Sequence, residues 1–173
     1  HGLIQDQKYW EQLRQLKQLT LNDLDELIHH SVCIKNKVVS KDPNEMGLRK
    51  ILNFGHTLGH AIESYCLENE DVKTLLHGEA IAIGMILEGY LSSKICGLSK
   101  SELHEIKETF KATYPNVSFD DSSKRQIINL MQSDKKNSHG QVKFVLLTSI
   151  GKCQIDVEVD NALIHEAFSF YSK

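Results

Sequence analysis

The 173-residue sequence is poor in the features that usually mark a functional class. Its 4 cysteines, Cys33, Cys66, Cys96 and Cys153, are widely spaced and form no CxxC pair, which excludes a clustered zinc ribbon or a dithiol redox motif. Mostly in apolar helical surroundings, they read as small core residues in a reducing compartment, so the expected location is cytoplasmic. No run approaches the roughly 18 apolar residues of a membrane span. The net charge of −3 supplies none of the excess basicity that nucleic acid or an anionic membrane surface attracts, and neither is an expected partner. Glycine-rich phosphate loops of the GxGxxG or GxxxxGK type are absent as well, as are repeats and low-complexity tracts.

What remains is helical periodicity. With 40% hydrophobic and 25% charged residues, the chain suits one domain, 1–173, able to bury a core. Leu3 to Leu16 make one amphipathic segment, and Thr20 or Asn22 can cap the next, which runs toward Val39. "KDPNEMG" at 41–47 breaks the pattern at the first of 2 prolines. "RKILNFGHTLGHAIE", 49–63, reads as one helix reaching about Glu68. After a polar loop comes "LLHGEAIAIGMILEGYLSSKIC", so apolar all round that it must be the buried centre. Ser99 or Ser101 caps a shorter helix, and another spans roughly Ser123 to Gln132. Only "QVKFVLLTSIGKCQIDVEV" has strand character, as two runs about a Ser149-Ile150-Gly151 turn, before a last helix from about Asn161 to Phe170. The expected fold is mainly α, multi-helical, with one small β-hairpin. The chain opens on His1 within a helical pattern, as expected of a piece of a longer protein.

The chemistry concentrates on 49–63. Arg49, Asn53, His56 and His60 are spaced 4, 3 and 4. On a continuous helix they fall within an arc of roughly 60°. Ile51, Phe54, Leu58, Ala61 and Ile62 take the opposite side. Gly55 and Gly59 flank the stripe, each costing helix propensity of about 1 kcal/mol, which is tolerable where another helix must come close. A solvated face would intersperse Glu and Lys; this stripe has neither. Two histidines at i and i+4 can chelate a metal, although HExxH is missing, and Arg49 with Asn53 suits a carboxylate or phosphate. His77, at the start of the apolar helix, offers a third imidazole where a helix N-terminus also favours anions. Glu79 either orients His77 or caps the first turn. Two histidines are too few for a tight site, so a further ligand is expected from elsewhere. Lys35 among apolar neighbours either meets an anion or snorkels to the surface, and "SDKKN" reads as a solvated loop before the hairpin. His29, His30, His104, His139 and His165 have no converging company.

"NEMGLRKILNFGHTLGHAIE" followed by "LHGEAIAIGM" strongly resembles the C-terminal domain of the 3-dehydroquinate synthase family, in the sugar-phosphate cyclase superfamily. The resemblance extends through "CIKNKVV" upstream and "DKKN" and "GQVKFVLLTSIGK" downstream, nearly the whole chain. It implies conversion of 3-deoxy-D-arabino-heptulosonate 7-phosphate to 3-dehydroquinate with phosphate elimination, a step of the shikimate route to aromatic amino acids. It also implies NAD, which transiently oxidises a ring hydroxyl, and a divalent metal, zinc or cobalt. Carried over by motif, His56 and His77 would be metal ligands, and His60 with Asn53 would face the substrate phosphate. Arg49 and Lys35 would hold its carboxylate, Lys135 or Lys136 would also reach the phosphate, and Glu45 would be a polar residue on the substrate side. The NAD-binding N-terminal domain and the third, glutamate, metal ligand are expected outside this chain, leaving the fragment alone inactive. A homodimer is expected of the full-length enzyme. The alternatives are another sugar-phosphate cyclase, such as a 2-deoxy-scyllo-inosose synthase, the helical domain of a metal-dependent alcohol or glycerol dehydrogenase, and a non-catalytic metal-binding module.

Overall fold

The computed structural model describes residues 1–16, 20–136 and 141–173 and, for 22 and 134–136, the backbone alone. Helices α1 (Gly2–Gln5) and α2 (Gln7–Gln15) are separated at Asp6, an extended residue whose carboxylate accepts from Tyr9 N and starts α2. The single segment expected over 3–16 is therefore two. Helix α3 (Leu21–Lys41) begins with a capping box in which Thr20 and Asp23 exchange hydrogen bonds. A 3-10 helix, Leu48–Asn53, precedes α4 (His56–Glu68), and α5 (His77–Ile95) follows the polar loop. Ser99 caps α6 (Lys100–Thr113). Helix α7 (Asp121–Lys136) carries the backbone of Lys135 and Lys136 as helix, where the sequence suggested a loop. The antiparallel strands β1 (Lys143–Ser149) and β2 (Lys152–Glu158) turn at Ile150-Gly151, and α8 (Asn161–Ser172) closes the chain. The architecture is mainly α with one hairpin, as expected.

Helix α5 is the axis. It packs on α4, α6, α8 and β1 and buries residues around its whole circumference, from Ala80 to Ser92. Two apolar clusters form about it. Leu58, Ile62, Leu87, Ile127 and Phe168 belong to one, and Leu3, Trp10, Ile51, Phe54 and Ile106 to the other. Strand β1 is buried on both faces and serves both: Phe144 and Leu146 point into the first, Val145 and Leu147 into the second, the two-residue period of a strand shared between two cores. Ser92 ties helix to strand, its hydroxyl donating to Glu88 O at 2.6 Å and accepting from Leu147 N at 2.8 Å. No helix among the described residues is long and apolar enough to cross a membrane.

The four cysteines are free thiols in unlike settings. Cys33 is exposed, whereas burial pushes the Cys66 and Cys96 thiols up and Cys153 to about 11. At pH 8 Cys153 then holds about 100-fold less thiolate than an ordinary thiol. Brief iodoacetamide treatment followed by peptide mass mapping is expected to find Cys33 modified and Cys153 intact; equal labelling of the two contradicts the burial of Cys153 against Ile4.

Candidate metal and anion site

The stretch 49–63 is not one helix. The 3-10 helix ends at Phe54, which is extended in ψ, and Gly55 is left-handed at φ +82° before α4 starts at His56. The break deals the apolar residues to different cores, Ile51 and Phe54 to one, Leu58, Ala61 and Ile62 to the other. The expected continuous stripe is thus corrected to two short segments meeting at a turn. What holds the turn is Glu88, fully buried on α5. Its carboxylate accepts from Gly55 N at 2.6 Å and Leu58 N at 3.1 Å, capping α4 from the neighbouring helix. The anticipated close helix approach is present. A Cβ on Gly59 would lie 2.7 Å from Ile81 Cδ1, and one on Gly84 would lie 2.0 Å from Gly55 O.

That turn places His56 as the first residue of α4. Its Nδ1–H donates to Phe54 O at 3.1 Å, which leaves Nε2 with its lone pair. Burial lowers the His56 pKa below the ordinary imidazole value, against the pull of that carbonyl, and the charges of His60 and His77 lower it further. His60 sits one turn on, ring centroids 5.4 Å apart, and His77, first residue of α5, completes a triangle at 6.0 Å from His56 and 5.5 Å from His60. The third partner was not anticipated. Glu63 Oε2 lies 3.0 Å from His77 Nδ1 and 3.7 Å from His60 Nδ1, and the donor atoms of His60, Glu63 and His77 all lie within 4.8 Å of one another. The only trace of it in the sequence is the i, i+3 spacing in "HAIE". Glu79 accepts instead from Leu76 N at 2.8 Å, so it caps α5 and does not orient His77.

Upstream, the loop 42–47 is wound around Asp42, which accepts from the backbone N–H of Met46, Gly47 and Arg49. The Arg49 and Gly47 bonds hold its carboxyl below the usual carboxylate range. Glu45 adopts φ +55° and accepts from Asn53 Nδ2 at 2.8 Å, with Arg49 Nε 3.7 Å away. Two clefts open on either side of this ridge and share Glu45, Asn53 and His56. One, of about 710 Å³, is lined also by His60, Lys50, Lys143 and Asp156. The other, of about 580 Å³, takes in Lys35 and Arg49 together with apolar Trp10 and Met85. Lys35 therefore faces a cleft. Lys50, not singled out from the sequence, makes a two-oxygen ion pair with Asp156 at 2.8 and 3.0 Å; Asp156 itself is left-handed at φ +58°, beside a register shift in the hairpin. The side chains of Lys135 and Lys136, expected at the phosphate, lie outside the described residues. Among the other histidines, His30 has company, 2.9 Å from Asp6 and packed on Tyr9.

The donor set suits a divalent ion such as zinc or cobalt: clustered imidazoles with a carboxylate beside them, and a half-buried His56 kept neutral with one nitrogen free. The fold is shared with solved synthase structures. 2-Epi-5-epi-valiolone synthase from Streptomyces hygroscopicus subsp. jinggangensis, with NAD+ and Zn2+ bound, aligns over 99% of this chain and 48% of its own at TM-score 0.74 and 18% identity. A 2-deoxy-scyllo-inosose synthase complexed with carbaglucose-6-phosphate, NAD+ and Co2+ aligns over 96% and 47% at TM-score 0.69 and 23% identity. The sequence carries the assignment further. Residues 1–137 match the family described as 3-dehydroquinate synthase C-terminal, and the chain belongs to it. The 3-dehydroquinate synthase of Parabacteroides distasonis is 38% identical over 99% of this chain, and that of Rippkaea orientalis 39% over 95%. The chain spans about half the length of these relatives, 48% and 46% respectively.

Proposed function

We propose that this chain is the metal- and substrate-binding half of a 3-dehydroquinate synthase, converting 3-deoxy-D-arabino-heptulosonate 7-phosphate to 3-dehydroquinate with loss of phosphate. The observation that carries the reading is the pair of clefts about one ridge. A substrate with phosphate at one end and carboxylate at the other needs two cationic ends separated by a site for its reacting hydroxyls, and the chain offers that order. Lys35 and Arg49 bind the carboxylate, Arg49 through a planar fork suited to two oxygens. Asn53 and His60 donate to the phosphate from the other cleft, joined by Lys135 or Lys136. Glu45 steadies both ends, accepting from Asn53 while its charge faces Arg49. His56 and His77 hold a zinc or cobalt ion, with a further ligand from outside this chain. Such an ion, when bound, would supply Lewis acidity toward substrate hydroxyls, and NAD would supply reversible hydride transfer. NAD is held mainly by a domain in the part of the protein beyond these residues, and the complete cytoplasmic enzyme acts as a homodimer. In this reading the chain alone is inactive.

The test assays the complete protein, with NAD and Zn2+, for phosphate release and 3-dehydroquinate formation. Wild type is expected to turn over the carboxylated substrate, and Arg49→Ala to lose about 100-fold in kcat/KM, the cost of removing one charged contact to a desolvated group. Turnover of glucose 6-phosphate unaffected by Arg49→Ala would instead indicate a cyclase for a substrate without a carboxylate. Dehydroquinate formation by the 173-residue chain alone would overturn the division of labour.

A further inference from the structure

On the reading that assigns phosphate to the larger cleft, we infer that Lys50 is a further contact for it and that Asp156 is the counter-anion with which it competes. Residues three apart eclipse one another in a 3-10 helix, at 3.0 residues per turn and about 2.0 Å rise per residue. Lys50 and Asn53 therefore stand in one row, about 6 Å apart along the axis, where an α-helix would turn them roughly 60° apart. The row faces the cleft of about 710 Å³, which both residues line together with His60 and Lys143. Asn53, assigned to phosphate, thus has an ammonium beside it.

Both donors of that row are held by carboxylates from strained backbone. Glu45, at φ +55°, accepts from Asn53 Nδ2 at 2.8 Å, and Asp156, at φ +58°, accepts from Lys50 Nζ at 2.8 and 3.0 Å. These are the two non-glycine residues of positive φ among the described residues, and both line this cleft. Between Phe144 and Leu146 β1 advances two residues while β2 covers three, from Val157 back to Gln154, and the resulting bulge carries Asp156. Such strain persists where the surroundings fix it and concentrates at ligand sites. Here it aims a carboxylate at each donor. A carboxylate carries one charge, whereas a phosphate monoester carries about −1.5 to −2 at pH 7 and three acceptor oxygens. With side chains 32% and 36% exposed, Lys50 and Asp156 form a pair that solvent screens. Phosphate held by Asn53 and His60 therefore takes the ammonium from Asp156. The displaced carboxylate stays close and limits the affinity for phosphate as a product, which must leave.

Titration of the 173-residue chain with inorganic phosphate, followed by phosphorus NMR at constant ionic strength, tests the exchange. Wild type is expected to bind, Lys50→Met to bind at least about fivefold more weakly, and Asp156→Asn to bind about threefold more tightly. The double variant should behave as Lys50→Met alone. Both single variants break the same tie between the 3-10 helix and the hairpin, so thermal unfolding should move them in one direction while affinity moves them in opposite ones. A purely structural pair would weaken binding in both variants. That outcome, unchanged binding in both, or no binding by wild type overturns the inference. The complete protein separates this failure from that of the reaction. Phosphate binding indifferent to Lys50 in a protein that forms 3-dehydroquinate removes the contact alone, and binding that follows Lys50 in a protein that forms none removes the reaction alone.

Discussion

Gly84→Ala is expected to destabilise the domain by about 4 kcal/mol, above the ordinary 1–3 kcal/mol of overpacking. A Cβ at this position would stand 2.0 Å from Gly55 O, 2.8 Å from Gly59 N and 3.0 Å from Gly59 Cα. Every one of those atoms is backbone, so no rotamer change relieves the clash; α4 and α5 must separate. Separation opens the packing of Leu58 and Ile62 on Ile83 and Leu87, all buried in one cluster. Each of those side chains is worth about 1.5–3 kcal/mol when fully buried, and partial exposure of several outweighs the gain of about 1 kcal/mol in helix propensity. The matched comparison is Gly78→Ala in the first turn of the same helix. A Cβ there meets nothing within 4 Å, and a gain of about 0.5–1 kcal/mol is expected. In thermal unfolding the two changes should move the midpoint in opposite directions, by roughly −10 °C and about +2 °C. A Gly84→Ala chain melting with wild type would mean that the helices are not this close.

Much of this geometry is legible in the sequence where it depends on neighbours along the chain. Apolar repeats locate α3 to α8, the β-rich runs locate the hairpin, and unusual glycines at Gly55 and Gly59 announce a close helix contact. The break at Gly55 is not legible. A six-residue 3-10 helix makes only two turns at 3.0 residues per turn, too short a window for its period to be told from 3.6, and one left-handed residue redirects everything after it. The residues that fix that turn, Gly84 and Glu88, come about 30 positions later, on another helix. The same holds for the site. Motif likeness names His56, His60, His77, Asn53, Arg49, Lys35, Glu45, Lys135 and Lys136; the described structure brings the first seven to two adjoining clefts and their margin, and the last two side chains lie outside the described residues. Glu63 and the Lys50–Asp156 pair depend on the meeting of α4 with α5 and of the 3-10 helix with β2, which periodicity does not encode.

Those distant contacts explain how one turn serves both cleft ends. The 3-10 helix carries Arg49 and Asn53, α4 carries His56 and His60, and Gly55 sets the angle between them. The Lys50–Asp156 pair ties the first segment to the hairpin, 106 residues away in sequence. Glu88 ties the second to α5. A shift of either changes the distance between a cleft's cations and its imidazoles, and positioning errors of this kind cost rate even when every side chain is present.

Glu88→Ala is therefore expected to be costly twice over. Glu88 is 0% exposed, and its carboxylate receives the N–H groups of Gly55 and Leu58 at 2.6 and 3.1 Å. Truncation leaves two donors in a dry helix junction with no acceptor from this residue, at about 1–3 kcal/mol each. The cavity adds to that, so a loss of about 3–5 kcal/mol is expected, a melting point lower by roughly 10 °C. Glu88→Gln keeps one oxygen for one N–H but turns an amide N–H toward the other, and should fall between. The local consequence separates this cap from general core damage. Amide exchange at Gly55 and Leu58 should speed up more than at Leu91, one turn further along α5, while under the activity proposed above His56 loses its fixed place and kcat/KM of the complete protein falls with it. An alanine chain that melts within about 2 °C of wild type would show that α4 does not depend on Glu88; uniform exchange across α4 and α5 would show that it props the core without capping the helix.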